Sequence, residues 1–310
     1  GAAGSTELVS SPSEFLCALA ESRARAVIGV DLGHSVDDDP TEELDGSDML
    51  HMGLHGLSLE DMLGPQLSPD GFGALRTIVA QSLHLRTLRL CSARMGGEEA
   101  HRLALAARSL DHLTCLDLTK NDLNDEGVTA MASVLVTCTS LQVLSLCGNF
   151  CSPAGATRLA TSLPACRHLN HLSLAKNWIQ DQGGSAISKA FQHCSQITHL
   201  DLSDNELTFA SDFNLTDAQP LASNWLAASL PLLPSLSSLL LSHNSPGEIW
   251  SRDLEPIAST LARSNTCLQR LEVAGMELED SAWLHAALLA RTTVRGPGGG
   301  RGRGGRGGAG

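Results

Sequence analysis

The chain has 310 residues, of which 42% are hydrophobic and only 3% aromatic, with no Tyr. Its formal net charge is -13 at pH 7, so we expect it to repel nucleic acid and to favour protein partners with a basic surface. The opening residues contain no basic segment followed by an apolar one, so a secretory signal is not expected.

Two irregular segments come first. Residues 27–32 and 54–59 both have the apolar spacing of a short strand, and the acidic stretch 37–48 between them suits a solvated loop. We therefore expect residues 1–53 to form an N-terminal cap or a degenerate repeat with an acidic loop. Residues 27–32 would begin that degenerate repeat.

From Leu85 onward, the frame L-x-x-L-x-L-x-x-N-x-L occurs seven times. The starting residues of units 1 to 7 are Leu85, Leu113, Leu141, Leu169, Ile197, Leu236 and Leu268. The first five are spaced by 28 residues, which is typical of stacked repeats that cover one another's apolar faces. The pattern predicts one elongated body over residues 54–294.

Each unit is predicted to contain a strand, a turn and a helix. In unit 2, residues 113–118 alternate as a short strand, and Asn121 falls where its amide can bond the backbone of the turn. Met131 and Leu135 then lie on one helix face. Right-handed crossovers would place parallel strands on a concave face and helices on a convex face.

This unit resembles the ribonuclease-inhibitor class of leucine-rich repeats, in which a strand is paired with a full helix. The resemblance covers residues 85–290 and implies an α/β solenoid shaped like a horseshoe. Ala93 and Met276 replace Asn in units 1 and 7, as is typical of end units. The resemblance further implies a non-catalytic scaffold or adaptor for protein partners, or a subunit of a larger assembly.

Three cysteines occupy one position of the unit, namely Cys138, Cys166 and Cys194. A thiol at a repeating core position packs as a small apolar group. We expect these thiols to be buried and reduced, which favours a cytoplasmic or nuclear location.

The strand face, formed by the residues two and four places after each starting residue, is the first candidate binding surface. Its candidate partner-binding residues are Arg89, Asp117, His171, His199, Asp201, Arg270 and Glu272. His171 and His199 should be adjacent, but only Asp201 lies beside them as a third ligand. We interpret them as a solvated pair, and predict neither a metal nor another cofactor.

A second candidate surface, the rim, lies where the strands end. Its aromatic residues are Phe150, Trp178, Phe209, Phe213 and Trp250, half of the Phe and Trp residues in the chain. Phe150 and Trp178 are equivalent in units 3 and 4, whereas units 5 and 6 carry insertions, the first at residues 208–219. Either the rim is a protein contact surface, or the insertion folds over it as a lid.

Residues 295–310, RGPGGGRGRGGRGGAG, are predicted to be disordered. They resemble RGG tails that contact RNA, with Arg301, Arg303 and Arg306 as candidate contacts, so an RNA-associated protein is one alternative. A solvated tail or linker is the other interpretation of this segment.

Motifs for phosphate loops, nucleophile elbows and zinc proteases are absent from the sequence, so neither an enzyme nor a small-molecule substrate is predicted. A regulatory alternative comes from the Ran GTPase-activating proteins, which share this repeat class and insert an Arg from a strand-end loop. Arg94 occupies such a loop. Residues 218–247 lack charge, but Pro231 and Pro234 favour core over a membrane span.

Overall fold

The computed structural model describes residues 25–31, 56–63, 69–208, 224–244, 250–264 and 267–274. Within these ranges, the strands form one sheet in which each strand neighbours the next in the sequence, and the helices pack against one another in a second layer. This is the α/β solenoid that the repeated frame predicts.

The elements follow the units closely. The strands are β1 (Arg25–Asp31), β2 (Gly56–Leu63), β3 (Thr87–Leu90), β4 (Cys115–Asp117), β5 (Val143–Ser145), β6 (His171–Ser173), β7 (His199–Asp201), β8 (Ser238–Leu240) and β9 (Arg270–Glu272). The α-helices are α1 (Pro69–Gln81), α2 (Gly97–Ala107), α3 (Asn124–Leu135), α4 (Pro153–Ser162), α5 (Gln180–Ala190), α6 (Trp225–Ser229) and α7 (Trp250–Ser264).

Strands β2 to β9 run parallel, and their register shifts by one unit per strand. Leu88 pairs with Leu116, which pairs with Leu144, so equivalent leucines stack along the sheet. Leu57 of β2 pairs with Leu88, so residues 56–59 of the irregular segment join the parallel series.

Strand β1 differs, because it pairs antiparallel with β2. Val30 lies opposite Leu57, and Asp31 lies opposite Gly56. The degenerate repeat expected to begin at residues 27–32 would require a parallel strand. Strand β1 therefore forms an antiparallel edge of the sheet, and the parallel series begins at β2.

The core is built from leucines that each unit contributes at the same places. Leu113, Leu116 and Leu118 of unit 2 are at most 2% exposed. The side chain of Phe191 is fully buried in the same continuous core, whereas Trp225 is only partly buried against it. Burying these apolar side chains between neighbouring units stabilises the stack, because no single unit covers its own face.

A ladder of buried asparagines joins the units at the end of the strands. Its members are Asn121, Asn149, Asn177, Asn205 and Asn244. Asn177 Oδ1 accepts the backbone N–H groups of Asn149 and Cys151 at 3.0 and 2.9 Å. Its amide nitrogen donates to the carbonyls of Leu146 and Leu174, both at 2.9 Å. The ladder therefore satisfies backbone groups that the sharp turn leaves without partners.

The three repeating cysteines are buried free thiols. Each Sγ donates to a carbonyl of the preceding unit, as Cys166 does to Leu135 at 3.5 Å and Cys194 to Leu163 at 3.6 Å. Burial raises the pKa of Cys138 to about 11 and that of Cys166 to about 12. These thiols are consequently held in the neutral form.

Candidate functional site

The parallel register aligns the strand face into columns. His171 pairs with His199, and Ser173 pairs with Asp201, so the columns read from the sequence are present in the structure. Short side chains occupy the middle of one column, where Ser145 and Ser173 are buried. Charged residues are concentrated towards its two ends, at Arg89 and Glu272.

The histidine pair lies near the centre of the strand face. The ring centroids of His171 and His199 are 5.4 Å apart, with planes inclined by 26°. Burial and the neighbouring His199 lower the pKa of His171. Nδ1 of His199 is 2.8 Å from the hydroxyl of Thr198. The two stacked rings offer a flat surface to a partner.

The acidic candidates on the strand face are partly engaged within the chain. Asp117 Oδ1 accepts hydrogen bonds from the backbone N–H and the hydroxyl of Thr119, at 3.0 and 2.6 Å. Asp201 Oδ1 accepts the N–H of Ser203 at 3.1 Å. These bonds fix the carboxylates at the point where each strand turns out of the sheet.

At the far end of the face, Arg270 and Glu272 form an ion pair. Arg270 Nε donates to Glu272 Oε1 across 2.8 Å. Both side chains are exposed to solvent, at 62% and 41%, so the pair contributes little to stability. The two side chains instead present a fixed charge pattern on the surface.

The rim contains one aromatic pair that the structure describes fully, Phe150 with Trp178. The ring centroids lie 5.3 Å apart at an angle of 51°. Such tilted packing is favourable for aromatic rings. Phe150 is nevertheless 48% exposed and Trp178 51% exposed. The pair is thus an exposed apolar surface held in one geometry.

Backbone conformation explains how the aromatic pair is presented. Units 1, 3 and 5 place the residue after the Asn position in the left-handed region, at Arg94, Phe150 and Glu206. Units 2 and 4 place that conformation two residues later, at Asn124 and Gln180. The turn geometry therefore alternates along the stack. Phe150 is a bulky side chain in a conformation that usually favours Gly or Asn.

The remaining rim candidates are less fully described. Trp250 is the first residue of α7, in the unit that follows the insertion-bearing unit 5. Phe209 and Phe213 lie outside the described residues, as do Arg301, Arg303 and Arg306 of the tail. Arg94 is exposed in the loop that follows β3, the place expected from the sequence.

The sequence reasoning missed two aspartates that join neighbouring units. Asp125 accepts the backbone N–H of Ser152 at 2.8 Å and its hydroxyl at 2.5 Å. Asp181, two units later, accepts the backbone N–H and the hydroxyl of Thr208 in the same way. The available signal was an Asp twelve places after the start of units 2 and 4, followed one unit later by Ser or Thr.

The described residues contain neither a metal-binding cluster nor a membrane-spanning helix. Over these ranges, His, Cys, Asp and Glu side chains form no group of three or more that suits a metal ion. Across the same part of the chain, every helix is too short or too polar to cross a bilayer.

Comparisons with known proteins agree with the repeat architecture. Residues 110–132, 165–188 and 193–208 match the leucine-rich repeat family model. No curated protein matches the chain. Together with the unit-by-unit register and the Asn ladder, the family match defines an α/β leucine-rich-repeat solenoid. Solenoids of this kind present extended surfaces to protein partners.

Solved structures with a similar chain path were also found. Internalin C2 from Listeria monocytogenes is 17% identical, with 89% of each chain covered and a TM-score of 0.49. The C-terminal domain of tropomodulin from Caenorhabditis elegans is also 17% identical. That alignment covers 43% of this chain and 82% of that chain, with a TM-score of 0.39.

Proposed function

We propose that this protein is a non-catalytic scaffold or adaptor that binds another protein through the rim, with the strand face as a secondary contact surface. The observation that carries the proposal is the aromatic pair. Phe150 and Trp178 contact each other but leave about half of each side chain exposed. Exposed aromatic anchors supply much of the binding energy in protein interfaces.

The backbone at Phe150 strengthens the argument. A left-handed conformation costs an L-residue other than Gly about 1–2 kcal/mol. Burial of the ring would offset that cost, but Phe150 is half exposed. Arg94 and Glu206, which share its backbone conformation, are polar. An aromatic residue at this place is better explained by contact with a partner than by folding.

The strand face would complete the interface with polar contacts. The candidate residues there remain Arg89, Asp117, His171, His199, Asp201, Arg270 and Glu272. We infer a partner with basic surface, because a net charge of -13 attracts such partners and increases their rate of encounter.

We further propose that the units are of the ribonuclease-inhibitor-like kind. The support is their composition of one strand and one full helix, since α2 to α5 each contain 10 to 12 residues. A reducing compartment, the cytoplasm or the nucleus, fits the buried free thiols of Cys138, Cys166 and Cys194.

Quantitative affinity capture with mass spectrometry tests the proposal. The bait with Phe150→Asn and Trp178→Ala should lose at least one protein that wild type enriches. The control bait carries Leu105→Ala and Val136→Ala, two exposed apolar residues of the helix layer that are 48% and 57% exposed. It should retain that protein. Equal capture by wild type and the rim variant would contradict the proposal.

A further inference from the structure

A shallow groove lies at the edge of the sheet where the strands begin, opposite the rim. We call it the edge groove. It has a volume of about 350 Å³ and is lined by Arg86, His112, Thr114, Ser140, Gln142 and His168. It spans three neighbouring units, and none of these lining side chains is acidic or apolar.

The sequence around the edge groove has the same character over five units. The residues just before the starting positions are His84, His112, Ser140, His168 and Gln196, and those just after them are Arg86, Thr114, Gln142, Asn170 and Thr198. Every one of these side chains carries a hydrogen-bond donor, and none is a carboxylate. In a chain with 34 acidic residues, this edge is a surface suited to an anion.

The strands bring these donors together. Thr114 N donates to the Arg86 carbonyl, and Gln142 N donates to the Thr114 carbonyl, both at 2.8 Å. The side chains of Arg86, Thr114 and Gln142, from three adjacent units, therefore lie side by side along the groove. The rings of His84 and His112 stack with centroids 6.3 Å apart and planes inclined by 17°, so the two rings are nearly parallel.

Most of the side chains that line the edge groove make no hydrogen bond within the described part of the fold. Over the described residues, Arg86, Ser140, Gln142 and His168 make no side-chain hydrogen bond or ion pair. The Thr114 hydroxyl donates to the Arg86 carbonyl at 3.0 Å, and its oxygen still has acceptor capacity. The groove thus holds the Arg86 guanidinium, the Gln142 amide and the Ser140 hydroxyl, whose donors are free for a ligand.

We propose that the edge groove binds a phosphoryl group carried by a serine or threonine of a partner protein. A guanidinium donates paired hydrogen bonds to phosphate oxygens, and a phosphoryl group has three acceptor oxygens. Donors from three neighbouring units match three oxygens better than the two of a carboxylate. The net charge of -13 disfavours nucleic acid as the source of the phosphate. This site is separate from the rim and does not depend on its role.

Titration of the isotope-labelled full chain, followed by NMR, tests the proposal. The probes are inorganic phosphate, N-acetyl-phosphoserine amide and N-acetyl-serine amide. We expect saturable shifts at Arg86 Nε–H and the Gln142 amide with both phosphorylated probes, and none with the serine probe. Arg86→Gln should weaken binding by about tenfold, the effect of losing one charge-assisted hydrogen bond.

Arg76→Gln is the matched control, because Arg76 is exposed on α1, away from the groove. It should leave the affinity unchanged. An equal loss in both variants would show general charge attraction and overturn the proposal. Equally tight binding of N-acetyl-glutamate amide, or tighter binding of a single-stranded RNA oligonucleotide at the same resonances, would also overturn it.

Discussion

The indole Nε1 of Trp225 donates a hydrogen bond to Oδ1 of Asp181 across 3.0 Å, although 44 residues separate them in the sequence. Oδ2 of the same carboxylate accepts the backbone N–H of Thr208 at 3.1 Å and also its hydroxyl. One side chain of α5 therefore holds the residues that border the segment 209–223. It joins unit 4 to the unit that carries the larger insertion.

Replacing Asp181 with Ala should lower the free energy of unfolding by about 2 kcal/mol or more. The variant leaves the Trp225 indole and the Thr208 amide without their charged acceptor. Urea denaturation provides the measurement. The control is Asp122→Ala, since Asp122 is an exposed residue of unit 2. The control should change stability by no more than about 0.5 kcal/mol. Matching midpoints for the two variants would count against the anchoring role of Asp181.

The asparagine ladder should be unequal in strength. Asn177 Oδ1 accepts two backbone N–H groups, whereas Asn149 Oδ1 is buried without a partner among the described residues. Asn177→Ala should therefore destabilise the chain more than Asn149→Ala, by about 1–2 kcal/mol. Urea unfolding of both variants checks this order, and the reverse order would refute it.

The buried thiols predict a loss of stability in alkali. Burial raises the pKa of Cys166 to about 12, and that of Cys138 and Cys194 to about 11, from an ordinary 9.0. When the pKa of a thiol is higher in the folded state than in the unfolded state, its burial stabilises the protein fully below the unfolded-state pKa. That stabilisation is lost as the pH rises towards the folded-state pKa. The unfolding free energy should fall between about pH 9 and pH 12.

The triple variant Cys138→Ala, Cys166→Ala and Cys194→Ala should show a shallower alkaline decline, although its stability at neutral pH is lower. Because the chain has no Tyr, no phenol titrates in the same interval. Urea midpoints across the pH series provide the measurement. A decline of unchanged slope in the triple variant would show that other groups cause it.

The left-handed backbone at Phe150 predicts opposite effects of Gly at two neighbouring rim positions. Phe150→Gly should be more stable than Phe150→Ala by about 1 kcal/mol, because Gly adopts positive φ without steric cost. At Trp178, which lacks positive φ, Gly should be less stable than Ala. Thermal denaturation of the four variants tests the pattern. The same sign at both positions would contradict this account of the turn.

Much of the fold could be predicted because the apolar frame is periodic. Residues 113–118 contain β4, Met131 and Leu135 are buried on α3, and Asn121 bonds the turn as expected. Periodicity reports which residues face the core, because every unit presents the same positions to its neighbours. It does not report the direction of pairing, so the sequence left a cap and a degenerate repeat open for residues 1–53, and it could not predict that β1 pairs antiparallel.

The candidate surfaces were predicted less completely. The adjacency of Phe150 and Trp178 follows from their equivalent places in neighbouring units, and the adjacency of His171 and His199 has the same basis. The Asp181 to Trp225 bond crosses an insertion, and no fixed spacing relates its two residues. The edge groove combines residues that come just before and just after the starting residue of each unit. The repeated frame does not specify the residue type at these positions, so it did not predict the groove.

Site-specific photo-crosslinking tests the binding role of the rim most directly. A photoreactive aromatic residue replaces Trp178 in one form of the full chain and Leu105 of the helix layer in the other; both positions are about half exposed. The account predicts a discrete protein adduct from position 178 that is absent at position 105 and is lost when Phe150 is also changed to Asn. Adducts of equal yield at both positions, or none at position 178 while the partner is still captured, would contradict it.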